Sequence, residues 1–201
     1  MLLRTVLSLL LGLLCGSVPF GQLAGRIKGI DIRTRGSGNI GFTNVQRTLG
    51  WAWAIPVLIL DSAKGLLPTI FASRLGLTPV LVGAGAIAGH VFTPWLGFKG
   101  GKGVATTIGV SASLCPASLI AGLSLYLAVL VSFGFVSLAS LIFALALPVL
   151  TAIFYPGNLP LLLFSLAAAL IIIIRHRANI KRLLGRTEPR FGLWLKLFRK
   201  T

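Results

Sequence analysis

Carboxylates are almost missing from this chain: Asp31, Asp61 and Glu188 are its only acids, against 19 Lys and Arg. None shares a segment with His90 or His176, so no Ser-His-Asp set can be placed. No Asp follows either histidine at the spacing of the His-x4-Asp acyltransferase pattern. Cysteine is equally sparse. Cys15 and Cys115 sit in apolar runs without ligand spacing, which reads as packing, not disulfide or metal chemistry. The sequence therefore predicts no metal and no cofactor. Charged residues make up 11% of the chain, well below the roughly 25% of soluble domains. No soluble domain with a basic face is available, which excludes nucleic acid as a partner.

What the chain has in place of charge is apolar length. Hydrophobic residues make up 56% of it. Apolar segments run over about 2–24, 51–72, 78–98, 104–133, 135–155 and 159–174. The first is too long for a signal peptide core and has no clean cleavage site after it, so it counts as a span. The segment 104–133 would reach about 45 Å as one helix, against a hydrocarbon core of about 30 Å. Pro116 lies near its middle, where proline breaks a helix. Splitting it gives an all-α, polytopic membrane protein of about seven transmembrane helices, two of them short. The whole chain, 1–201, then forms one membrane-embedded domain.

Basic residues set the expected orientation. Arg26, Lys28, Arg33, Arg35 and Arg47 cluster in the polar stretch 26–50, Lys99 and Lys102 in the loop 97–103, and nine more follow from Arg175 onward. The positive-inside rule puts these on the cytoplasmic side, with the N-terminus outside and the C-terminus inside. All the glycine-rich motifs then share one face.

Four polar runs interrupt this oily background. "GSGNIGFTNVQR" (36–47) packs glycine, amide and hydroxyl groups ahead of Arg47. "DSAKG" (61–65) puts Asp61 and Lys64 three residues apart, close enough to pair on a helix. A charge at membrane depth costs at least ~2.5 kcal/mol, so this pair either steadies helices or turns Lys64 toward a polar cavity. "GFKGGKGVATT" (97–107) combines closely spaced glycines with a helix start, the makings of an anion nest. It is not a Walker A loop, since Leu96 and Gly103 fill places that need glycine and Ser or Thr. "RHRANIKRLLGRTEPR" (175–190) sets His176 and Asn179 on one helix face among arginines. His90 reads as a packing histidine or a site support. Ser137 and Ser140 read as helix-packing hydroxyls with a second use near a polar site. Backbone donors, Lys, Arg, amides and hydroxyls bind phosphate and stabilise developing negative charge. A transporter of phosphate or phosphorylated solutes is the alternative on the same residues, because transporters bind anions at interrupted helices.

These four runs, in this order, resemble the bacterial membrane glycerol-3-phosphate acyltransferases that use acyl phosphate as donor. The resemblance covers the full length. It implies acyl transfer from acyl phosphate to the 1-hydroxyl of sn-glycerol 3-phosphate, giving lysophosphatidic acid and phosphate, the first committed acylation of phospholipid synthesis. It also implies a cytoplasmic (inner) membrane location, an active site facing the cytoplasm, and a soluble acyltransferase that makes the acyl phosphate. Chemistry and motif match together assign the residues. Gly100, Gly101 and Gly103, with Thr106 and Thr107, cradle the acyl-phosphate head, and Lys102 neutralises it. Arg47, His176 and Asn179 hold glycerol 3-phosphate, supported by Ser137 and Ser140. Ser37, Asn39, Thr43 and Asn44 form a wall, and Lys64 adds charge from below. Two places depart from the family pattern: Phe42 replaces the more usual alanine, and Gly185 sits one position early before Thr-Glu. The second leaves Gly185 and Glu188 without an assigned role.

Overall fold

The structure is a computed structural model and describes residues 1–192 and 194. Lys196, Arg199 and Lys200, three of the nine basic residues expected on the cytoplasmic side, lie outside the described residues. The described chain is all helical. It divides into two compact units, Met1–Leu114 and Cys115–Thr201.

The first unit holds α1 (Leu2–Ser17), α2 (Phe20–Ile27), α3 (Phe42–Leu49), α4 (Trp51–Phe71), α5 (Pro79–Val91) and α6 (Val104–Leu114). Pro19 separates α1 from α2, as proline does when it removes a donor and restricts the residue before it. Glycine decides how the unit packs. Gly12 and Gly16 of α1 face Gly85 and Gly89 of α5, each pair four residues apart and hence on one helix face. A Cβ at Gly85 would lie 2.5 Å from the Leu9 carbonyl oxygen, which cannot move aside. In lipid, where no hydrophobic force drives helices together, such close backbone contact holds them through van der Waals packing. The same device joins α4 to α6, where Gly65 lies against Thr106. A small apolar core of Ala24, Ile32, Ile40, Val45, Ala54, Val57 and Leu96 closes the end of the unit that carries the polar stretch 26–50.

The second unit holds α7 (Pro116–Phe133), α8 (Val136–Phe154), α9 (Leu159–Arg175) and α10 (Arg177–Leu184). It packs with larger side chains: Phe143 of α8 lies against Gly122 of α7. The tail then returns to the α7–α8 turn. Phe191 N–H donates to the Gly134 carbonyl at 2.8 Å, and Trp194 Nε1 to the Val131 carbonyl at 2.7 Å. Arg190 lies 5.4 Å from the Phe135 ring and 4.5 Å from the Trp194 ring.

The expected break near Pro116 is present: α6 ends at Leu114 and Pro116 opens α7. Among the described residues, five helical stretches are long and apolar enough to cross a bilayer, α1 and α2 counting together as Leu2–Ile27, or six if the 60° bent pair α9–α10 forms one span. With 11 residues, α6 is an apolar helix of only about 16 Å, too short to cross alone.

Candidate active site

In the first unit the glycine loop leaves α5 and enters α6. Gly100 N–H donates to the Val91 carbonyl at 3.0 Å and Gly101 N–H to the His90 carbonyl at 3.1 Å. These two amides therefore satisfy the carbonyls at the end of α5, groups a helix leaves unpaired. The amides of Gly100 and Gly101, expected to face an anion, are thus engaged by the end of α5. Gly103, at φ +90°, takes a backbone shape that other residues rarely adopt and turns the chain into α6. The first intrahelical bond there runs from Thr107 N–H to the Gly103 carbonyl at 2.8 Å, so the amides of the opening turn lie beyond the helix's own bonding. Lys102, half-buried, stands immediately before them. Thr106 and Thr107 are fully buried, and neither hydroxyl has a protein hydrogen-bond partner.

Lys64 is buried in α4. Its Nζ lies 2.6 Å from Asp61 Oδ1, donates to the Val18 carbonyl at 2.6 Å and sits 5.5 Å from the Phe20 ring. The intramembrane cation thus braces the α1–α2 break. Asp61 also faces His90 Nδ1, at 3.6 Å.

The polar stretch 36–47 is held by one amide. Asn44 Oδ1 accepts from Ser37 N–H at 2.8 Å, and Nδ2 donates to the Ile32 and Arg35 carbonyls at 3.1 Å each. Asn44 supports the loop from beneath. Asn39 accepts from Gly41 N–H at 2.9 Å, turning the chain into α3. Ser37 and Arg47 are exposed and Thr43 is half-buried, Arg47 in the last turn of α3. Nearby, hydrogen bonds from Arg33 hold the Asp31 carboxyl well below the usual carboxylate range.

The second unit gathers its polar residues around an acid the sequence left without a role. Glu188 Oε1 accepts from Asn179 Nδ2 and from the Ser137 hydroxyl, both at 2.7 Å, while Oε2 accepts from Arg182 Nε at 2.6 Å. Burial pushes this carboxyl up, but the bonds from Asn179, Ser137 and Arg182 together outweigh it and hold it below its ordinary value of 4.5. Ser137 is thereby engaged by Glu188, and Ser140 by the Val136 carbonyl at 2.8 Å. His176, buried between α9 and α10, places Nδ1 2.8 Å from the Ile172 carbonyl. A carbonyl can only accept, so Nδ1 is the donor in this contact. All four expected site residues of this unit, Ser137, Ser140, His176 and Asn179, are thus held by hydrogen bonds. The signal for Glu188 was there: it is the only acid in a basic tail. Among the described residues no group of three His, Cys, Asp or Glu could hold a metal ion.

Apolar helices that enclose buried charge and interlock through glycine define an all-helical integral membrane protein. Residues 6–186 match the family described as glycerol-3-phosphate acyltransferase. The glycerol-3-phosphate acyltransferase of Geobacter sulfurreducens is 46% identical over 180 residues, covering 88% of this chain and 92% of that protein. That of a Synechococcus species is 46% identical over 196 residues, covering 96% and 98%. The crystal structure of PlsY (YgiH), an integral membrane glycerol 3-phosphate acyltransferase in its glycerol 3-phosphate form, superposes with a TM-score of 0.89. It is 33% identical and covers 97% of this chain and 99% of that one. Its lysophosphatidic acid form gives 0.86. The chain belongs to the glycerol-3-phosphate acyltransferase family and is an enzyme, which sets the transport reading aside.

Proposed function

We propose that this enzyme transfers an acyl chain from acyl phosphate to the 1-hydroxyl of sn-glycerol 3-phosphate. The products are 1-acyl-sn-glycerol 3-phosphate and inorganic phosphate. The glycine loop carries the reading: it delivers Lys102 and the opening turn of α6 with no carboxylate among the residues that form it. The family's substrate is the second support.

In the first unit, Lys102, Gly103 and the first amides of α6 hold the donor phosphate, with the Thr106 and Thr107 hydroxyls behind them. Gly100, Gly101, Lys64 and Asn44 hold the shape of that region. Arg47 supplies a guanidinium for a phosphate group, beside Ser37, Asn39 and Thr43. In the second unit His176 and Asn179 hold glycerol 3-phosphate, and Ser137, Ser140 and Glu188 hold those two residues in place.

Acyl phosphate is already activated, so no covalent enzyme intermediate is required. The glycerol hydroxyl oxygen bonds to the acyl carbon, and the bond from that carbon to the phosphate oxygen breaks. Positive charge and amide donors stabilise the oxyanion that forms. The hydroxyl proton passes to a phosphate oxygen of the donor, which suits a chain so poor in bases. The competing path sends it to His176 Nε2. We further place the protein in the bacterial cytoplasmic membrane, its site facing the cytoplasm, supplied by a soluble acyltransferase that makes the acyl phosphate.

Purified protein in detergent should release phosphate from acyl phosphate only when glycerol 3-phosphate is present. Absent turnover overturns the reaction. His176→Ala should raise KM for glycerol 3-phosphate and keep most of kcat. A kcat loss of about 100-fold or more would instead make His176 the base.

A further inference from the structure

We infer that His90, braced by Asp61, positions the glycine loop, and that residue 101 is glycine because the His90 ring fills the space a side chain would take. This rests on the reaction proposed above. The supporting contacts form one continuous line inside the first unit. The Val18 carbonyl, at the α1–α2 break, accepts from Lys64 Nζ at 2.6 Å. Lys64 Nζ lies 2.6 Å from Asp61 Oδ1, and that same oxygen lies 3.6 Å from His90 Nδ1. The other edge of the His90 ring faces Gly101. A Cβ there would run into Nε2, with Cε1 at 2.6 Å and Cδ2 at 3.0 Å. His90 also takes the Gly101 N–H on its own carbonyl at 3.1 Å. One residue, 3% exposed, thus grips the loop by main chain and by ring.

The next residue is Lys102, and the α6 opening turn follows it. A displacement of Gly101 moves both. Misplacing catalytic groups by an ångström costs up to about 100-fold in rate, so the rigidity of this contact bears on turnover directly. Charges buried at membrane depth are costly, and a network that holds the loop gives Asp61 and Lys64 a use beyond joining α4 to α1. Gly100 supplies the contrast. A Cβ there would meet the backbone carbonyls of His90 and Val91, and no side-chain change at 90 relieves that.

The test is a double-mutant cycle between positions 90 and 101. Gly101→Ala should lower kcat/KM for acyl phosphate by about tenfold to 100-fold. His90→Asn keeps an amide toward Asp61 and removes the far edge of the ring. Combined with Gly101→Ala it should recover several-fold over Gly101→Ala alone. It should recover nothing when combined with Gly100→Ala. His90→Asn alone should raise KM for acyl phosphate, with KM for glycerol 3-phosphate unchanged. Additive losses in the 90–101 cycle, or a wild-type KM for acyl phosphate in His90→Asn, overturn the inference. Should Gly101→Ala fail to fold, the thermal midpoints of the double and of His90→Asn decide it. A double that also fails overturns the proposal; one that folds supports it. A rise confined to KM for glycerol 3-phosphate, with coupling intact, keeps the positioning role and removes the donor assignment of the loop. If the wild type releases no phosphate, the reaction falls by itself, and the coupling in thermal midpoints still reports on positions 90 and 101.

Discussion

Asp61 and Glu188 solve one problem in two ways. Each is a buried carboxylate around which a unit of the protein is organised. Asp61 works at membrane depth with Lys64 and His90, three charges or polar rings drawn from α4 and α5. Glu188 works beyond the last span, with a hydroxyl, an amide and a half-exposed guanidinium. The first site is charge against charge in a medium without water. The second is hydrogen bonding to an anion one of whose partners, Arg182, is itself partly exposed. Removing a partner should therefore hurt the two units very differently.

The largest effect belongs to Asp61. Asp61→Ala leaves Lys64 buried without its counter-charge, a change that costs about 3–5 kcal/mol for buried pairs. Little folded protein should survive detergent extraction, and the thermal midpoint of what remains should fall sharply. A variant as stable as wild type would break the comparison. Glu188→Gln comes next. It keeps the shape and loses the charge, and hydrogen bonds to a charged group are each worth about 1.5–3 kcal/mol. The protein should extract normally, with KM for glycerol 3-phosphate raised as Asn179 loosens. The folded-state pKa of Glu188 is depressed, so its contribution is complete above the ordinary value of 4.5 and fades as pH falls through the lower, folded-state value. Stability of the wild type should decline in that acid window, and Glu188→Gln should flatten the decline. The smallest effect is Arg190→Ala. It removes two ring contacts worth about 0.5–1 kcal/mol each at exposed sites, and should shift the thermal midpoint by a few degrees at most.

Sequence and structure agree best where a rule is local. Pro116 breaks a helix by its own chemistry, so the split of 104–133 could be read directly. The pairing of Asp61 and Lys64 follows from helical spacing alone. Agreement weakens where the partner is distant. Asn44 has the composition of a binding residue, but its three bonds go to residues 32, 35 and 37, and only the folded loop brings these together. Glu188 meets Ser137 from 51 residues away. The glycine pairs of α1 and α5 are visible as letters, yet which helices they join is set by packing between segments some 70 residues apart. The glycine loop reads as a nest in sequence, but the use of its first two amides depends on where α5 ends.

Because every acid in the chain is already matched by a cation or a ring of donors, none is left to offset the remaining positive charge at long range. The formal net charge of +16 thus stands almost unopposed. A field of one sign raises the local concentration of anions and speeds their encounter with the surface, and salt weakens it over a Debye length of about 8 Å at physiological ionic strength. Scarcity of acid therefore acts on kinetics as well as on architecture: it tunes how fast small phosphorylated molecules arrive, before any contact is made.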